Sequence, residues 1–433
     1  MTDAEKIRLQ AKWQKKILLF CWLTYALSYF CRTNLSIALP KMSETFHWST
    51  TSAGMIGSAF FLSYGLGHLI NGMLGDKMPI KKFMLLGLFG TSFCNLLIGF
   101  FPYYGVITAV WMLNGFFLST LWGPIMRAMA MWYAPEDRNP PAIIISFSSL
   151  AGYLVSWAGL GVLIEFTSWK GAFFLPGLIT LAFTIWFAVG MNDKPQEMGL
   201  DDFTHSTLPG SLEVSQEASR ENYSLSFWGL IKKEHLLCFC LAAIAQGIIK
   251  DGITLWEPTI LSSLHHASSS VISLASSLIP VFSFVGVLLS GKLMNRYLGK
   301  EKRPGIILFA GTGIFCLFFY FLLGKSLWSD VLFFGLISAL LSGINTLLLT
   351  FIPLRLAKFG YSSSVAGIFN FCAYLGAGCS GILSGALVDG CGWSSTILLW
   401  FILCAVGAAA VLLGFRRKKE RAALSHMPEK NQA

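Results

Sequence analysis

The sequence predicts an all-α membrane protein whose twelve transmembrane helices form two pseudo-symmetric six-helix bundles. Three observations predict it. The chain is 55% hydrophobic and only 12% charged, with 36 Phe and 14 Trp, which is far from the make-up of a soluble domain. Apolar runs of about 20 residues, enough to cross a bilayer, recur along its whole length. A single polar stretch from Asn192 to about Tyr223, rich in Ser and Glu, divides those runs six and six.

In order, the spans are expected near 17–39, 52–75, 83–101, 105–133, 142–164 and 172–190, then near 235–257, 269–291, 305–323, 331–353, 362–388 and 395–414. The first lacks a small-residue cleavage site and has ordinary spanning length, so it is expected to stay rather than be removed as a signal peptide. Around the spans lie a cytoplasmic tail (1–16), an N-terminal bundle (17–190), a linker (191–234), a C-terminal bundle (235–414) and a basic tail (415–433). The linker is too polar to pack and ends in an amphipathic piece, "SLSFWGLIKKEH" at 224–235, that could lie on the inner surface.

Basic residues set the orientation. With the amino terminus inside, 26 of the 32 Lys and Arg fall in inner segments and only Lys41, Lys170 and Lys325 in outer loops. Both termini are therefore expected in the cytoplasm, in an inner or plasma membrane. The net charge of +10 follows from this sidedness, so a nucleic-acid partner is not needed. The ten cysteines contain no C-x-x-C pair and read as packing residues.

The halves resemble each other in detail. "GMLGDKMPIKK" after the second span matches "GKLMNRYLGKEKR" after the eighth, with Gly72 and Gly291 219 positions apart. "SWKGAFF" and "GWSSTIL" open the sixth and twelfth spans, their Trp residues 224 apart. Duplicated halves of this kind are the trace of transporters whose substrate site lies between the bundles.

Three basic residues remain inside spans: Arg32, Arg127 and Lys250. Arg32 and Lys250 are 218 positions apart, and each is followed eight residues later by a proline, Pro40 and Pro258. Two cations thus sit at matching depths on the first helix of each half. A charge at mid-bilayer costs on the order of 3 kcal/mol or more and nearly always faces a bundle interior or a wet cavity. Two of them facing one another call for an anion held jointly, the Arg by its fork and the Lys as a point charge. The alternative is a private partner for each. Asp251 adjoins Lys250, but neighbours on a helix point about 100° apart, so it is not the obvious partner. For Arg32, the first four assigned spans offer no acid.

Tyr25, Tyr29 and Arg32, spaced i, i+4, i+7, share one helix face, where tyrosine hydroxyls can meet an oxyanion. Tyr64 and His68 lie one turn apart in the second span; His68 reads as a neutral donor, a third positive group, or a histidine bonded to a neighbouring helix. Arg127 is expected in a structural or gating role, snorkelling to the surface or pairing with Asp76. Ser149, taken alone, reads as a helix contact. Metal sites, cofactors and enzyme chemistry find no support: G-x-S-x-G, the Walker A sequence and H-E-x-x-H are all absent. Without an ATP site, transport would draw on a solute or ion gradient.

"GMLGDKMPIKK" resembles the G-x-L-x-D-[KR] loop of the major facilitator superfamily. Within it, "YALSYFCRTNLSIALP", "SYGLGHLINGMLGDK", "WGPIMRAMAMWYAPEDR", "DKPQEMGL" and "IIKDGITLWEPTIL" are similar to segments of the organophosphate:phosphate antiporters. That resemblance runs from Tyr25 to Trp393. It implies the major facilitator fold, no enzyme activity, and exchange of a sugar or glycerol phosphate for inorganic phosphate by a carrier expected to be monomeric. It gives Arg32 the phosphate, with Tyr25, Tyr29 and Tyr64 as lining. Lys250 stands where the glycerol-3-phosphate and hexose-phosphate carriers have arginine. His68 stands for a lysine of the glycerol-3-phosphate carrier, and Ser149 aligns with its fifth-helix histidine. In an obligate exchanger the empty carrier would cross slowly because its two cations are uncompensated. Proton-coupled symport through Asp251, Glu257 or His68, and a sugar-phosphate sensor, are the competing readings.

Overall fold

The structure, a computed structural model, describes residues 2–75, 77–134, 137–192, 195–200, 203, 229, 231, 234–297, 302–355 and 362–415. Among these, all regular structure is helical. The N-terminal half comprises α1 (Asp3–Phe46), α2 (Thr50–Gly75), α3 (Ile80–Phe100), α4 (Tyr104–Leu118 and Trp122–Trp132), α5 (Asn139–Leu154 and Leu160–Phe166) and α6 (Gly171–Gly190). The C-terminal half comprises α7 (Leu236–His265), α8 (Ser269–Ser276 and Leu278–Arg296), α9 (Lys302–Leu322), α10 (Leu327–Thr346 and Ile352–Arg355), α11 (Ser362–Cys391) and α12 (Trp393–Gly414). Wider π-helical turns join the pieces of α5 (Val155–Gly159) and α10 (Leu347–Phe351).

Eleven of these helices are long and apolar enough to cross a membrane, among the described residues. The exception is α1, whose apolar run is diluted by Arg32, Thr33 and Asn34. It also starts well before residue 17. Thr2 caps it, accepting from the Glu5 N–H at 3.3 Å while the Glu5 carboxylate accepts from the Thr2 N–H at 2.8 Å. This extension is fastened to the end of α4: the Trp13 and Trp132 rings stack at 6.1 Å, and the Gln14 amide donates to the Trp132 carbonyl at 2.8 Å. Of the linker, Phe203 is held by Arg138, whose guanidinium donates to its carbonyl at 2.9 Å. The amphipathic piece at 224–235 lies largely outside the described residues.

The duplication reaches into backbone detail. His47 and His266 end α1 and α7 in the left-handed region, at φ 53° and 48°, and lie 219 positions apart. Only a few per cent of non-glycine residues take such a φ. Its repetition marks the same turn built twice.

The two bundles meet along α1 with α7, α2 with α11 and α5 with α8. At the end remote from both termini, called distal here, this meeting is closed. Gly54 of α2 and Gly381 of α11 bring their backbones so near that a Cβ on either would strike the other's carbonyl. Two carboxylates fasten the rim across the bundles. Asp389 at the end of α11 accepts from the N–H groups of Thr50 and Thr51, both at 2.9 Å, at the start of α2. Glu165 at the end of α5 accepts from the Ser270 N–H at 3.1 Å, at the start of α8. Glu165 and Asp389 are 224 positions apart, so the two fastenings are one device repeated. Each satisfies N–H groups that a helix start leaves without a partner, and each places an anion at the positive end of a helix.

These caps exist only while the distal end is closed. Asp389→Asn combined with Glu165→Gln is therefore expected to shift the carrier toward a distal-open state by about 2- to 10-fold, the size of a weakened helix cap at an exposed site. Distances between spin labels across the rim would report it; unchanged distance distributions would contradict the assignment.

Candidate anion-binding site

Where α1 faces α7, three charges converge. The Arg32 Nη2 lies 3.7 Å from the Asp251 Oδ1, and the Lys250 Nζ lies 3.5 Å from the same oxygen. The side chains of Arg32 and Asp251 are 9% and 4% exposed, that of Lys250 35%. Asp251, not the obvious partner of Lys250 by helix geometry alone, is its partner here, and the acid that the first four spans do not offer Arg32 comes from α7. The lysine stem is long enough to swing its ammonium back to the adjacent carboxylate, and Arg32 comes from the other bundle.

Attraction between unit charges at 4 Å is about 4 kcal/mol at an effective dielectric near 20, while each buried ion loses several kcal/mol of hydration. The net worth of the triad is accordingly small. Its contacts are also long beside the 2.7–2.9 Å typical of charge-assisted hydrogen bonds. Asp251 is held loosely between two cations.

Aromatic rings enclose the guanidinium. The Arg32 Cζ stands 4.7 Å from the ring centre of Tyr64, 5.7 Å from Tyr29 and Phe61, and 5.8 Å from Phe60 and Tyr374. Their negative faces stabilise the cation without cancelling its charge. Beside it lies a cavity of about 20 Å³, bordered by Thr33, Trp111 and Thr254, room for roughly one water. Closer to the distal rim a separate cavity of about 610 Å³ is lined by Lys41, Glu44, Glu165, Thr259 and Ser262. Lys41 is engaged there with Glu44 at 2.7 Å.

The structure brings most of the expected residues together. Tyr25 and Tyr29 meet edge to face at 5.2 Å with hydroxyls 3.4 Å apart, in one row with Arg32. Tyr64 and His68 meet edge to face at 4.5 Å, and His68 also stacks on Tyr374 at 5.6 Å, so it touches the opposite bundle. Ser149 donates to the Ser146 carbonyl at 2.9 Å, one turn before Tyr153, and among the described residues its hydroxyl is not bonded to the cations. Arg127 donates to the Gly75 and Met78 carbonyls at 2.6 and 2.9 Å, closing the end of α2; Asp76 lies outside the described residues.

Sequence reasoning missed Tyr153 and Tyr374. Tyr153 of α5 packs on Tyr29 at 4.8 Å, and Tyr374 of α11 on Tyr64 at 4.8 Å. They lie in "AGYL" and "CAYL", 221 positions apart, where Gly152 and Gly376 of the same two helices are 224 apart, so the tyrosines are near-equivalent rather than aligned by the repeat. A helical turn is fixed beneath each: Gly152 packs against the Ala26 carbonyl of α1, and Gly376 against the Ile244 carbonyl of α7, 218 positions on.

Two six-helix halves with charges facing each other at their interface define a secondary transporter. The chain belongs to the Major Facilitator Superfamily, whose family model matches residues 21–379 and 258–432. It is a multi-pass membrane transporter, not an enzyme. Among curated proteins, it is 23% identical to the probable hexose phosphate transport protein of Chlamydia trachomatis, over 98% of this chain and 96% of that protein. It is 23% identical to the glycerol-3-phosphate transporter of Bacillus subtilis (96% and 94%) and 24% to the membrane sensor protein UhpC of Escherichia coli (95% and 94%). A solved bacterial homolog of the human lysosomal transporter Spinster, inward-facing and occupied, superposes with a TM-score of 0.73 at 13% identity, covering 93% of this chain and 97% of that one. The nucleoside transporter NupG gives 0.72 at 14% identity, covering 92% and 99%.

Proposed function

We propose that the protein carries a phosphate ester, a sugar phosphate or glycerol phosphate, across a cell membrane by alternating access, with inorganic phosphate as a second anion accepted at the same place. The observation that carries this reading is the pair Arg32 and Lys250, one from each bundle, converging on a single carboxylate oxygen. A carboxylate there stands where an oxyanion of substrate would bind. Arg32 supplies a fork for two phosphate oxygens, Lys250 a movable point charge, and Tyr25, Tyr29, Tyr64 and His68 the walls, with Tyr153 and Tyr374 added by the structure. Ser149 is the weakest member of the set. Near-full-length likeness to transporters named for hexose phosphate and glycerol-3-phosphate supports the substrate class.

Binding an anion from either side draws the halves onto it, which lowers the barrier to rocking about the site. Termini on the cytoplasmic side, as the excess of basic residues at that end suggests, would make the closed distal face the outer one. In proteoliposomes preloaded with inorganic phosphate, labelled phosphate is expected to enter by exchange, and glycerol-3-phosphate or glucose-6-phosphate to compete. Failure of every phosphate ester to compete, with a carboxylate competing instead, would refute the substrate class.

A further inference from the structure

Substrate meets a site that is already part-filled with charge. Arg32 and Lys250 bring two positive charges and Asp251 one negative, so the empty site is near +1 rather than +2. A singly charged anion brings it to zero. A phosphate dianion alongside ionised Asp251 would set three negative charges against two positive ones, with Asp251 only 4% exposed. In that setting the excess negative charge is expelled or protonated.

We propose that Asp251 is a tethered counter-anion that couples transport to one proton: a phosphate dianion crosses together with a proton, and the empty carrier returns without needing a counter-anion. This rests on the reading of Arg32 and Lys250 as the phosphate site. The proton comes from the side that admits substrate, forms an O–H bond on Asp251 or on a phosphate oxygen, and leaves to water on the other side when the anion departs. No oxidant or further reactant is needed.

The contacts of Asp251 suit displacement. At 3.5 and 3.7 Å they are Coulombic rather than well-formed hydrogen bonds, so phosphate oxygens at closer range take over both cations. Facing the triad are Tyr64 and His68 of α2, Tyr29 of α1, Tyr153 of α5 and Tyr374 of α11. His68 is committed to the rings of Tyr64 and Tyr374. Glu257, the other buried acid of α7, is two turns away and accepts from the Ser276 hydroxyl at 2.9 Å. Asp251 is thus the acid placed to exchange its cations for substrate. With it in place, the empty carrier lacks the uncompensated pair that would hold it to strict exchange.

The test uses the full chain in proteoliposomes with inorganic phosphate as probe and the membrane potential clamped. Wild type is expected to take up phosphate into vesicles containing none when the bath is made acidic, and to acidify the lumen as it does so. Asp251→Asn is expected to lose this net uptake and to survive only as an exchanger with a lowered KM. Exchange without net uptake in wild type, net uptake without lumen acidification, or a folded Asp251→Asn variant that behaves as wild type would each overturn the coupling while leaving the phosphate site standing. The wild-type arms can overturn the coupling even if the variant does not fold; because a dianion with a proton equals the monoanion in net terms, it is Asp251→Asn that ties the proton to this carboxylate. Absence of both phosphate binding by calorimetry and exchange would overturn the phosphate reading, and the coupling with it.

Discussion

Arg32→Ala is expected to lower phosphate exchange by at least about 100-fold, from the loss of two charge-assisted hydrogen bonds of about 1.5–3 kcal/mol each. The variant also strips Asp251 of the partner that comes from the opposite bundle, leaving its remaining contact with Lys250. Arg32→Lys keeps the charge and removes the fork, and should recover only a minor part of the loss. Lys250→Ala should cost less, because its side chain is 35% exposed and water can partly replace it. Exchange rates in proteoliposomes, normalised to folded protein, measure all three. An Arg32→Ala carrier working within twofold of wild type would remove Arg32 from the site.

Gly381→Val should lower transport by about 5- to 150-fold while anion binding persists. A side chain there has to enter space held by the Gly54 carbonyl and the Ser58 hydroxyl, and backbone at the meeting of two long helices cannot yield. Overpacking of this kind costs about 1–3 kcal/mol, a roughly 5- to 150-fold shift away from distal closure. Ser36→Cys, now buried beside the small cavity, should then become reactive to a hydrophilic maleimide. Undiminished transport and an unlabelled cysteine would show that this contact does not limit closure.

Hydropathy made the spans legible, because a bilayer demands long apolar helices whatever their packing. The repeat made the cation pair legible, since Arg32 and Lys250 occupy equivalent positions. Asp251 was legible as a candidate proton site but not as a shared partner, because helical geometry directs neighbours apart and only the meeting with α1 shows that one carboxylate serves both cations. Tyr153 and Tyr374 escaped for a different reason: they sit on α5 and α11, where attention to charge finds nothing, and the offset that pairs Gly152 with Gly376 does not pair them. The partners of Arg127 are backbone carbonyls, which no side-chain pattern reveals. The π-helical turns of α5 and α10 depend on packing against other helices, and the hydrophobic period does not record them.

The capped extension of α1 has a mechanical consequence. Its 44 residues form a rod of about 66 Å, reaching from the distal rim past the charged centre to the Trp13–Trp132 stack. A rod of that length is a lever: each degree of tilt displaces its tip by about 1 Å. With its amino-terminal arm bound to α4, the N-terminal half turns as one piece, and rocking at the substrate is magnified where the chain begins.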